Sequence, residues 1–453
     1  MKRYDEYIEI NSPWIKNIPM NWNAKRLKSV AAYISRGETP VYTDDTSCTK
    51  VINQATFSQG YWNTKKVRYT SSSPIGNESV PKQRDILLAS TGRGVLGKVF
   101  YFDQSDTYIA DSHVTIIRTC ETLNSRFLYY YLSVHFDTIN GLLARGSTNQ
   151  TELQEYPLKN MPVPLPSADE QDQIVRYLDW QVSKINRLIA AKRKQIELLK
   201  EQASTVINET IAGRTFHREV FDSGISMFGE MPCGWHIRPF SKVASIKSNL
   251  VNPSDHQEMI QISPASIEKN TGRIVKTCTV EESGVSSPNH KFFEGQILYS
   301  KIRPLLNKVT IAPFDGLCSA DMYPIETKLV TEYLMYYLLS SSYLQQLAIT
   351  GNRVKMPKIN QEEMGATLVL VPPKEEQEQI VNLIRVKCAK IQILIEKVNF
   401  QIDSIISLRT RLISDVVTGQ VDVRGIKVPD DEYINNEITE EEFEEESENN
   451  EEE

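Results

Sequence analysis

The 453-residue sequence lacks the marks of a membrane, secreted or metal-binding protein. No apolar run approaches the roughly 18 residues that a membrane span requires. The charged start, Met1 to Glu6, is not followed by an apolar stretch of the signal-peptide kind. The six cysteines have no CxxC spacing, and the six histidines do not cluster. We therefore expect a cytoplasmic chain with reduced thiols, no metal site and no membrane contact.

Motifs of covalent catalysis are also missing. The sequence contains no Gly-x-Ser-x-Gly elbow, no paired histidine ligands and no Asn-Pro-Pro-aromatic tetrad of the kind that amino-methyltransferases use. The segment from Gly92 to Lys98 has the glycines of a phosphate loop, but Val99 stands where such a loop needs Ser or Thr for magnesium. We predict a turn between two strands there, and no catalytic residue in this chain.

Charge is unevenly distributed along the sequence. The net charge is −7, yet residues 426–453 hold 12 Glu, 2 Asp and one Lys, which leaves 50 basic and 44 acidic residues in 1–425. A mildly basic body is compatible with the binding of a polyanion. The acidic tail has too few apolar residues to fold, so we predict that it is disordered. It would serve as a solubilising tail or as an intramolecular competitor for the polyanion-binding surface.

The body of the chain is a duplication. Residues 166–213 match residues 372–419 at a constant offset of 206 without a gap. Further upstream the offset varies, and the matched pairs are Pro19 and Trp22 with Pro232 and Trp235, Ile86-Leu87 with Ile297-Leu298, Lys98-Val99 with Lys308-Val309, and Ala110-Asp111 with Ala320-Asp321. Because loops tolerate insertions and a packed helix does not, each copy divides into a variable globular part and a register-locked helix.

Each register-locked segment carries a heptad seam, in which apolar residues alternate steps of four and three. The seam residues are Ile185, Ile189, Ile196, Leu199 and Val206 in the first copy and Ile391, Ile395, Val398, Ile402, Ile405 and Leu412 in the second. Gly213 and Gly419 suit the left-handed residue that ends a helix. Helices of about 44 residues, roughly 65 Å each, would expose this stripe alone. We therefore predict an antiparallel coiled coil with a pseudo-two-fold axis; the alternative is that each helix packs only onto its own globular part.

The globular parts mix short strands with helices, so the fold class is α+β with two tandem domains. The predicted strands are Ile86–Ser90, Lys98–Phe102, His113–Arg118, Ile297–Ser300 and Lys308–Ile311, with closing strands at Met161–Pro166 and Thr367–Pro373. Helices at Ser125–Leu132 and Thr331–Ser340 are expected to end each domain. The resulting boundaries are 1–165 and 215–371 for the domains, 166–214 and 372–425 for the long helices, and 426–453 for the tail.

Basic and amide side chains recur at matched places in both copies, around the turn between two predicted strands and in the loop before each long helix. They are Arg93, Lys98, Arg145, Ser147, Thr148, Asn149 and Gln150 in the first copy and Lys301, Arg303, Lys308, Asn352, Arg353, Lys355 and Lys358 in the second. Arg and Lys can bond guanine edges or phosphates, and Asn and Gln can bond adenine edges. Such clusters also occur in ordinary solvated loops, but their recurrence favours contact with DNA.

Two variable domains, each followed by a Pro-rich strand, a Glu-Gln-x-x-Ile helix start and a long helix, resemble the specificity subunit of type I restriction–modification systems. The resemblance covers 1–425, and its most specific part is the pair of helix starts, Glu170-Gln171 and Glu376-Gln377. The first copy ends in a loop of the Gly-Ser/Thr-x-Gln kind. Residues 351–355 of the second copy lack the Ser/Thr-x-Gln part.

The resemblance implies two target-recognition domains that each read one half of a split asymmetric DNA site, with the helices setting the half-site spacing. Its implied partners are double-stranded DNA, two methyltransferase subunits and a restriction subunit. The methyltransferase would hold S-adenosylmethionine, the restriction subunit would hold ATP and magnesium, and this chain would hold no cofactor. Two other classes stay open: a coiled-coil adaptor that binds no DNA, and a self-contained methyltransferase, which the missing motifs disfavour.

Overall fold

A computed structural model describes residues 2–74, 78–92, 94–146, 151–216, 219–350 and 358–429. The chain forms two compact units, of which unit 1 comprises Met1–Lys192 with Phe400–Asn449 and unit 2 comprises chiefly Arg193–Asn399. Each unit thus contains one globular part and a portion of both long helices. Most of the predicted disordered tail, 430–453, lies outside the described residues.

Unit 1 combines short strands with three short helices and the start of the first long helix. Its strands are β1 Tyr7–Glu9, β2 Asn17–Pro19, β3 Asn23–Arg26, β4 Ala31–Arg36, β5 Tyr42–Thr43, β6 Thr49–Ile52, β7 Arg68–Thr70, β8 Ile86–Ala89, β9 Val99–Tyr101, β10 Tyr108–Ala110, β11 Val114–Thr119, β12 Ala144–Arg145, β13 Glu152–Leu153 and β14 Pro162–Leu165. Its helices are α1 Ser125–Ser133, α2 Phe136–Leu143, α3 Glu155–Asn160 and the beginning of α4 Ala168–Ile211.

Unit 2 repeats this composition. Its strands are β15 Val220–Asp222, β16 Glu230–Pro232, β17 His236–Pro239, β18 Ala244–Ile246, β19 Leu250–Val251, β20 Ile260–Ile262, β21 Cys278–Thr279, β22 Asn289–Phe292, β23 Ile297–Ser300, β24 Val309–Ile311, β25 Gly316–Cys318, β26 Met322–Thr327 and β27 Leu368–Val371. Its helices are α5 Phe240–Val243, α6 Val280–Ser283, α7 Thr331–Leu339, α8 Ser341–Thr350, α9 Gln361–Ala366 and the beginning of α10 Lys374–Val417. Short 3-10 turns lie at Leu27–Ser29, Gln54–Thr56, Thr64–Lys66, Pro253–Asp255, Pro264–Ser266 and Pro304–Leu306.

Both units contain the same four-stranded antiparallel sheet. Its strand order is β4-β11-β8-β9 in unit 1 and β18-β26-β23-β24 in unit 2. One of the two inner strands, β8 in unit 1 and β23 in unit 2, is buried at all four of its residues, because it lies in mid-sheet with its side chains covered on both faces. Each unit also has a second sheet built around a parallel pair, β6 with β10 and β20 with β25. The α+β fold class and the predicted duplication are confirmed.

The core of each unit includes segments of both long helices. In unit 1, Ile174 of α4 and Val416 of α10 lie in one apolar cluster with Trp22 and Tyr131 of the globular part. The hydroxyl of the buried Tyr131 donates to the carbonyl oxygen of Pro162 at 2.8 Å, which ties α1 to β14. In unit 2 the corresponding bond joins Tyr337 to Leu368 at 2.6 Å. The helices therefore pack onto the globular parts as well as against each other.

The two long helices run antiparallel in unit 1. Near the start of α4, the Gln173 amide nitrogen donates to the carbonyl oxygens of Val423 and Ile426 at 3.0 and 2.7 Å. Further along α4, Asn186 accepts a hydrogen bond of 2.6 Å from Arg409. Residue numbers thus rise along one helix while they fall along the other. Every predicted seam residue is buried or half-buried.

Glycine ends both long helices, as predicted. Gly213 and Gly419 have φ angles of 75° and 73°, in the left-handed region that side chains rarely adopt. A β carbon added at Gly213 would lie 2.5 Å from Pro232 Cγ, and one added at Gly419 would lie 2.3 Å from Pro19 Cδ. A tryptophan, Trp235 or Trp22, completes each joint, so the end of each long helix meets the start of a globular part in the same way.

An ion pair joins each globular part to its long helix, and its charges are reversed between the copies. In unit 1, Arg126 of α1 donates from Nε to Asp179 of α4 at 3.1 Å. In unit 2, at positions 206 residues later, Glu332 of α7 accepts from Arg385 of α10 at 2.6 Å. The pair is therefore maintained with opposite polarity at one structural position.

The predicted strands are confirmed to within one or two residues, but the prediction that the helices at Ser125–Leu132 and Thr331–Ser340 end each globular part is wrong. Helices α1 and α7 do not end the globular parts, because α2 and α3 follow in unit 1 and α8 and α9 follow in unit 2. These additional helices are short, so their apolar residues do not repeat over enough turns to give a periodic signal. In the described ranges, none of the helices combines the length and apolar character that a membrane span needs.

Candidate nucleic-acid interface

In unit 1, backbone hydrogen bonds join the turn after β8 to the segment before α3. The amide of Ser90 donates to the carbonyl of His113 at 2.8 Å, and the amide of Leu153 donates to the carbonyl of Ser90 at 2.8 Å. Next to this pair, Thr91 forms a β-bridge with Glu152. The turn between β8 and β9 closes on a 3.0 Å bond from the Leu96 amide to the Gly92 carbonyl, which confirms the predicted turn.

Unit 2 has the same set of backbone hydrogen bonds, made by different residues. The amide of Lys301 donates to the carbonyl of Asp321 at 2.9 Å, and the amide of Ile359 donates to the carbonyl of Lys301 at 2.9 Å. Ile302 then forms a β-bridge with Lys358. In both units, therefore, the turn between the two strands lies against the segment that follows the predicted DNA-contact loop, which is 145–150 in unit 1 and 351–355 in unit 2. We call the turn, this segment and the bridge between them the frame, and they meet at one edge of the unit.

These contacts correct one match made from the sequence. They equate His113 with Asp321, whereas the predicted equivalence of Ala110-Asp111 with Ala320-Asp321 is wrong. The Asp111 amide donates to Ile52, and in unit 2 the corresponding bond runs from Ser319 to Ile262, both at 2.9 Å. The two identical dipeptides are two residues out of structural register, because strand hydrogen bonding rather than residue identity fixes the equivalent positions.

Two of the predicted contact residues of the first copy lie on described backbone. Lys98 precedes β9, where its carbonyl accepts the Ala89 amide at 2.9 Å and its side chain is half-buried. Arg145 is exposed on β12 and lies opposite Glu152 of β13. The predicted residues Arg93, Ser147, Thr148, Asn149 and Gln150 lie outside the described residues.

In the second copy, Arg303 is exposed and has a φ angle of 43° at the start of the turn Pro304–Leu306. Lys308 takes the place of Lys98, since its carbonyl accepts the Ser300 amide at 3.0 Å. Lys301 and Lys358 border the same frame. The predicted residues Asn352, Arg353 and Lys355 lie outside the described residues.

Two basic side chains at this edge, Lys301 and Lys358, make weak intramolecular contacts. The ammonium group of Lys301 lies 5.4 Å from the centre of the Tyr323 ring. Lys358 lies 3.3 Å from Asp321 in an exposed ion pair, which contributes little to stability and can exchange for another anion. Burial, followed by the positive charge of Lys301, lowers the pKa of His290, so this histidine is neutral at neutral pH.

Sequence reasoning missed a set of polar side chains on the same edge of unit 1. The hydroxyl of Thr91 donates to Gln54 Oε1 at 3.0 Å and lies 2.8 Å from Nδ1 of His113. The His113 amide is held by Asp111, whose pKa is raised by burial. One sign of this set in the sequence is that His113 directly precedes strand β11. Among the described side chains, no cluster of three His, Cys, Asp or Glu residues could hold a metal ion.

The duplicated Glu-Gln dipeptides have a structural role at the starts of the long helices. Gln171 accepts the backbone amide of Asn124 at 2.7 Å, and it donates to the carbonyl of Pro166 at 3.0 Å. Gln377 repeats this with the amide of Val330 and the carbonyl of Pro372, at 2.9 Å each. A buried glutamine that satisfies two backbone groups in this way fixes the loop before α1 or α7 to the helix start. This shared role explains why the glutamine recurs at the start of both long helices.

The long helices leave apolar side chains exposed outside the seam. Leu188 of α4 and Leu394 of α10 occupy matched positions, and each is 47% exposed. The other exposed apolar residues of these helices are Leu198, Val386, Ile393, Phe400 and Leu408. Surface leucines are ordinary one at a time, but several exposed apolar residues on the same long helices are typical of a surface that binds another protein.

A family profile and several curated relatives match this chain. The profile, described as the type I restriction modification DNA specificity domain, matches residues 19–198 and 242–402. The EcoDI type I restriction enzyme specificity subunit of Escherichia coli is 31% identical over 317 residues, which cover 66% of this chain and 70% of that protein. The type I restriction enzyme MjaIX specificity subunit of Methanocaldococcus jannaschii is 25% identical over 323 residues, which cover 67% of this chain and 70% of the relative.

A solved structure has the same fold. It comes from work on complex assembly and conformational transition of the type I R-M system, and its chain superimposes with a TM-score of 0.57 at 16% identity. The superposition covers 89% of the chain described above and 99% of the solved chain. At this identity the likeness concerns the fold alone.

Proposed function

This chain belongs to the type I restriction modification DNA specificity family, and we propose that it selects the DNA sequence on which a methyltransferase and a restriction subunit act. The observation that carries the proposal is the repeated frame: one sheet, one turn and one bridging segment per unit, with basic side chains at the same edge. Lys98, Arg145, Arg303 and Lys358 can bond phosphates or guanine edges from there. The phosphate share of the affinity would fall steeply with salt.

We further propose that the DNA site is split and asymmetric. Each unit has its own copy of the frame, but the side chains on the two copies differ, so the two half-sites would have different sequences. We call the edge of each frame that carries these side chains its reading edge. Antiparallel helices would hold the two reading edges apart and set the number of base pairs between the half-sites.

The proposed protein partners are two methyltransferase subunits and, through them, a restriction subunit. Matched exposed leucines, Leu188 and Leu394, give the long helices two similar apolar surfaces, which supports two docking sites for one kind of subunit. The relatives' names include the term restriction enzyme, so a restriction subunit is proposed here by family.

In this proposal the chain itself makes and breaks no covalent bond. S-adenosylmethionine would be held by the methyltransferase, and ATP and magnesium by the restriction subunit. The methyltransferase would rotate its target base out of the duplex, while the specificity chain fixes the place at which this happens. Since the substrate is chromosomal or incoming DNA, the complex would work in the cytoplasm.

The test is selection from a random DNA library by the chain assembled with its methyltransferase. We expect a bipartite motif with a fixed spacer, and competition by unrelated DNA that weakens as salt rises. Recovery of DNA without any shared motif would reject the proposal and favour the alternative of a coiled-coil adaptor without DNA readout. Binding of S-adenosylmethionine by the isolated chain would instead favour a self-contained methyltransferase.

A further inference from the structure

Because the two units are duplicates, each position of the reading edge can be compared between them. Positions that fix the backbone can then be distinguished from positions whose side chains differ. The backbone frame is the same in both units, as the bonds from Ser90 to His113 and from Lys301 to Asp321 demonstrate. Lys98 and Lys308 keep both the residue type and the backbone contact. Two domains that use one scaffold for different half-sites must agree where the backbone is held and differ where bases are contacted.

Four equivalent positions differ in chemistry. Thr91 and Glu152 form the bridge of unit 1, while Ile302 and Lys358 form the bridge of unit 2. His113 stands where unit 2 has Asp321. At two of these positions an acidic residue in one unit is replaced by a basic or imidazole side chain in the other.

The fourth position lies in the turn after the parallel strand. Asn53 caps the turn Gln54–Thr56 and Ser263 caps the turn Pro264–Ser266, each with the same capping box. Gln54 is therefore equivalent to the first residue of the second turn, which is a proline. A hydrogen-bonding amide in one unit corresponds to a side chain without any hydrogen-bonding group in the other.

We propose, on the basis of the proposed function, that Gln54, Thr91 and His113 contact base edges in the major groove of one half-site. Ile302 and Asp321, which stand at the positions of Thr91 and His113, contact the other half-site together with Lys358, which stands where unit 1 has Glu152. The ligand is a set of base-pair edges, and these residues determine the sequence of each half-site rather than the general affinity for DNA.

The hydrogen bonds of unit 1 orient this set. The Thr91 hydroxyl has one hydrogen, which it gives to Gln54, so it accepts from Nδ1–H of His113. The remaining groups are the amide nitrogen of Gln54, a donor, the second lone pair of Gln54 Oε1, an acceptor, and Nε2 of His113, an acceptor when the ring is neutral. A Gln amide suits the edge of adenine. Gly92 keeps this arrangement open, because a β carbon there would lie 3.2 Å from Gln54 Nε2.

The set in unit 2 has a different preference. Asp321 can accept from the amino group of cytosine, Lys358 can donate to guanine, and Ile302 can contact the methyl group of thymine. The 3.3 Å pair between Lys358 and Asp321 holds both groups at the exposed edge before DNA arrives. The two sets would thus give different half-sites from one backbone frame.

The experiment maps the selected motif for four forms of the full chain, each assembled with its methyltransferase. They are the wild type, Gln54→Ala, His113→Asp, which installs the residue of unit 2, and Gln104→Ala as the matched control. Gln104 is a glutamine of unit 1 whose amide bonds Asp103, after strand β9 rather than before it. We expect Gln54→Ala and His113→Asp to change discrimination at base pairs of one half-site by about 5- to 150-fold. The other half-site and the spacer should stay as in the wild type, and Gln104→Ala should leave the motif unchanged.

An unchanged motif in both variants would overturn the inference. So would weaker binding with the same motif, because that result assigns the residues to phosphate contact or to folding. A wild-type complex that selects no motif would reject the proposed function itself, before any variant is compared. The two failures are therefore distinguishable.

Discussion

At the scale of single residues, the left-handed glycines that end the long helices are the positions least able to accept a side chain. For Gly419→Ala we expect the free energy of unfolding to fall by about 2–4 kcal/mol, because the left-handed backbone costs alanine about 1–2 kcal/mol and the new methyl group overlaps Pro19. Denaturation followed by tryptophan fluorescence is a direct measurement, since Trp22 borders the joint.

The matched control for this prediction is Gly284→Ala. Gly284 follows helix α6 with a φ angle of 62°, and nothing lies within 4 Å of an added β carbon. It should lose only the backbone contribution, about 1–2 kcal/mol. Equal losses in the two variants would mean that the contact with Pro19 and Trp22 contributes nothing.

Arg303 is an exposed DNA-contact candidate of unit 2. We expect Arg303→Ala to weaken DNA binding by about 1–3 kcal/mol if its guanidinium contacts a base, and to reduce the salt dependence if it contacts a phosphate. Arg238, an exposed arginine of β17, provides the control. Binding titrations over a range of salt concentrations separate the two cases, and an unchanged affinity would remove Arg303 from the interface.

The proposed contact residues were only partly predictable. As candidates, Lys301, Arg303 and Lys358 were predicted because basic residues recur at matched places in the sequence. Gln54 was not, since its partner Thr91 is 37 residues away and the two meet only through sheet topology. A polar side chain in a loop has no periodicity, so the sequence gives no sign of which others it contacts.

At the scale of secondary-structure elements, the reversed ion pairs provide a test of how the globular part is fixed to its helix. Arg126→Glu should destabilise unit 1 by about 1–2 kcal/mol, because it places two carboxylates together at a half-buried site. Adding Asp179→Arg should restore part of that loss by reproducing the arrangement of Glu332 and Arg385. Recovery should be incomplete, since Arg126 also stacks on Tyr101 at 4.8 Å.

Thermal unfolding of the two single variants and the double variant forms a double-mutant cycle. A positive coupling energy is expected between positions 126 and 179. If the double variant loses as much stability as the sum of the single variants, the pair does not fix the helix to the globular part.

The exposed apolar residues of the long helices make a prediction about stoichiometry. If two methyltransferase subunits dock on these helices as proposed, Leu188→Glu should remove one of them, Leu394→Glu should remove the other, and both substitutions together should remove both. Folding should be little affected, because each leucine is already 47% exposed. Light scattering of the purified complexes gives the count, and Leu142→Glu, at a 50% exposed position of α2, is the control. If the double variant still binds two subunits, docking at Leu188 and Leu394 is contradicted.

The long helices and the mid-sheet strands were predictable, whereas the short helices α2, α3, α8 and α9 were not. The constant offset of 206 and the heptad seam predicted α4 and α10, because packed helices cannot lose a residue without turning their apolar face away. Helices of six to ten residues, α2, α3, α8 and α9, give no such signal. Strands β8 and β23 were predictable because they are apolar at consecutive residues, as mid-sheet strands are.

At the scale of the whole molecule, modular recognition makes the broadest prediction. Replacing residues 1–165 by the corresponding domain of another family member should change one half of the selected DNA motif and leave the other half and the spacer unchanged. Sequencing that maps methylated adenines in cells with the original or the exchanged chain would measure this. Changes in both halves would contradict the assignment of one reading edge to each unit.

The two glycine joints differ in one respect that concerns the gene more than the fold. The contact of Gly213 with Trp235 is made between neighbours in the sequence, whereas the contact of Gly419 with Trp22 joins opposite regions of the polypeptide with the same geometry. Covalent continuity is therefore dispensable at one of two equivalent joints. A protein of this design can be assembled from two separate polypeptides, each carrying one globular part and one long helix. New pairings of half-sites could then arise by exchanging whole subunits instead of editing a single coding sequence.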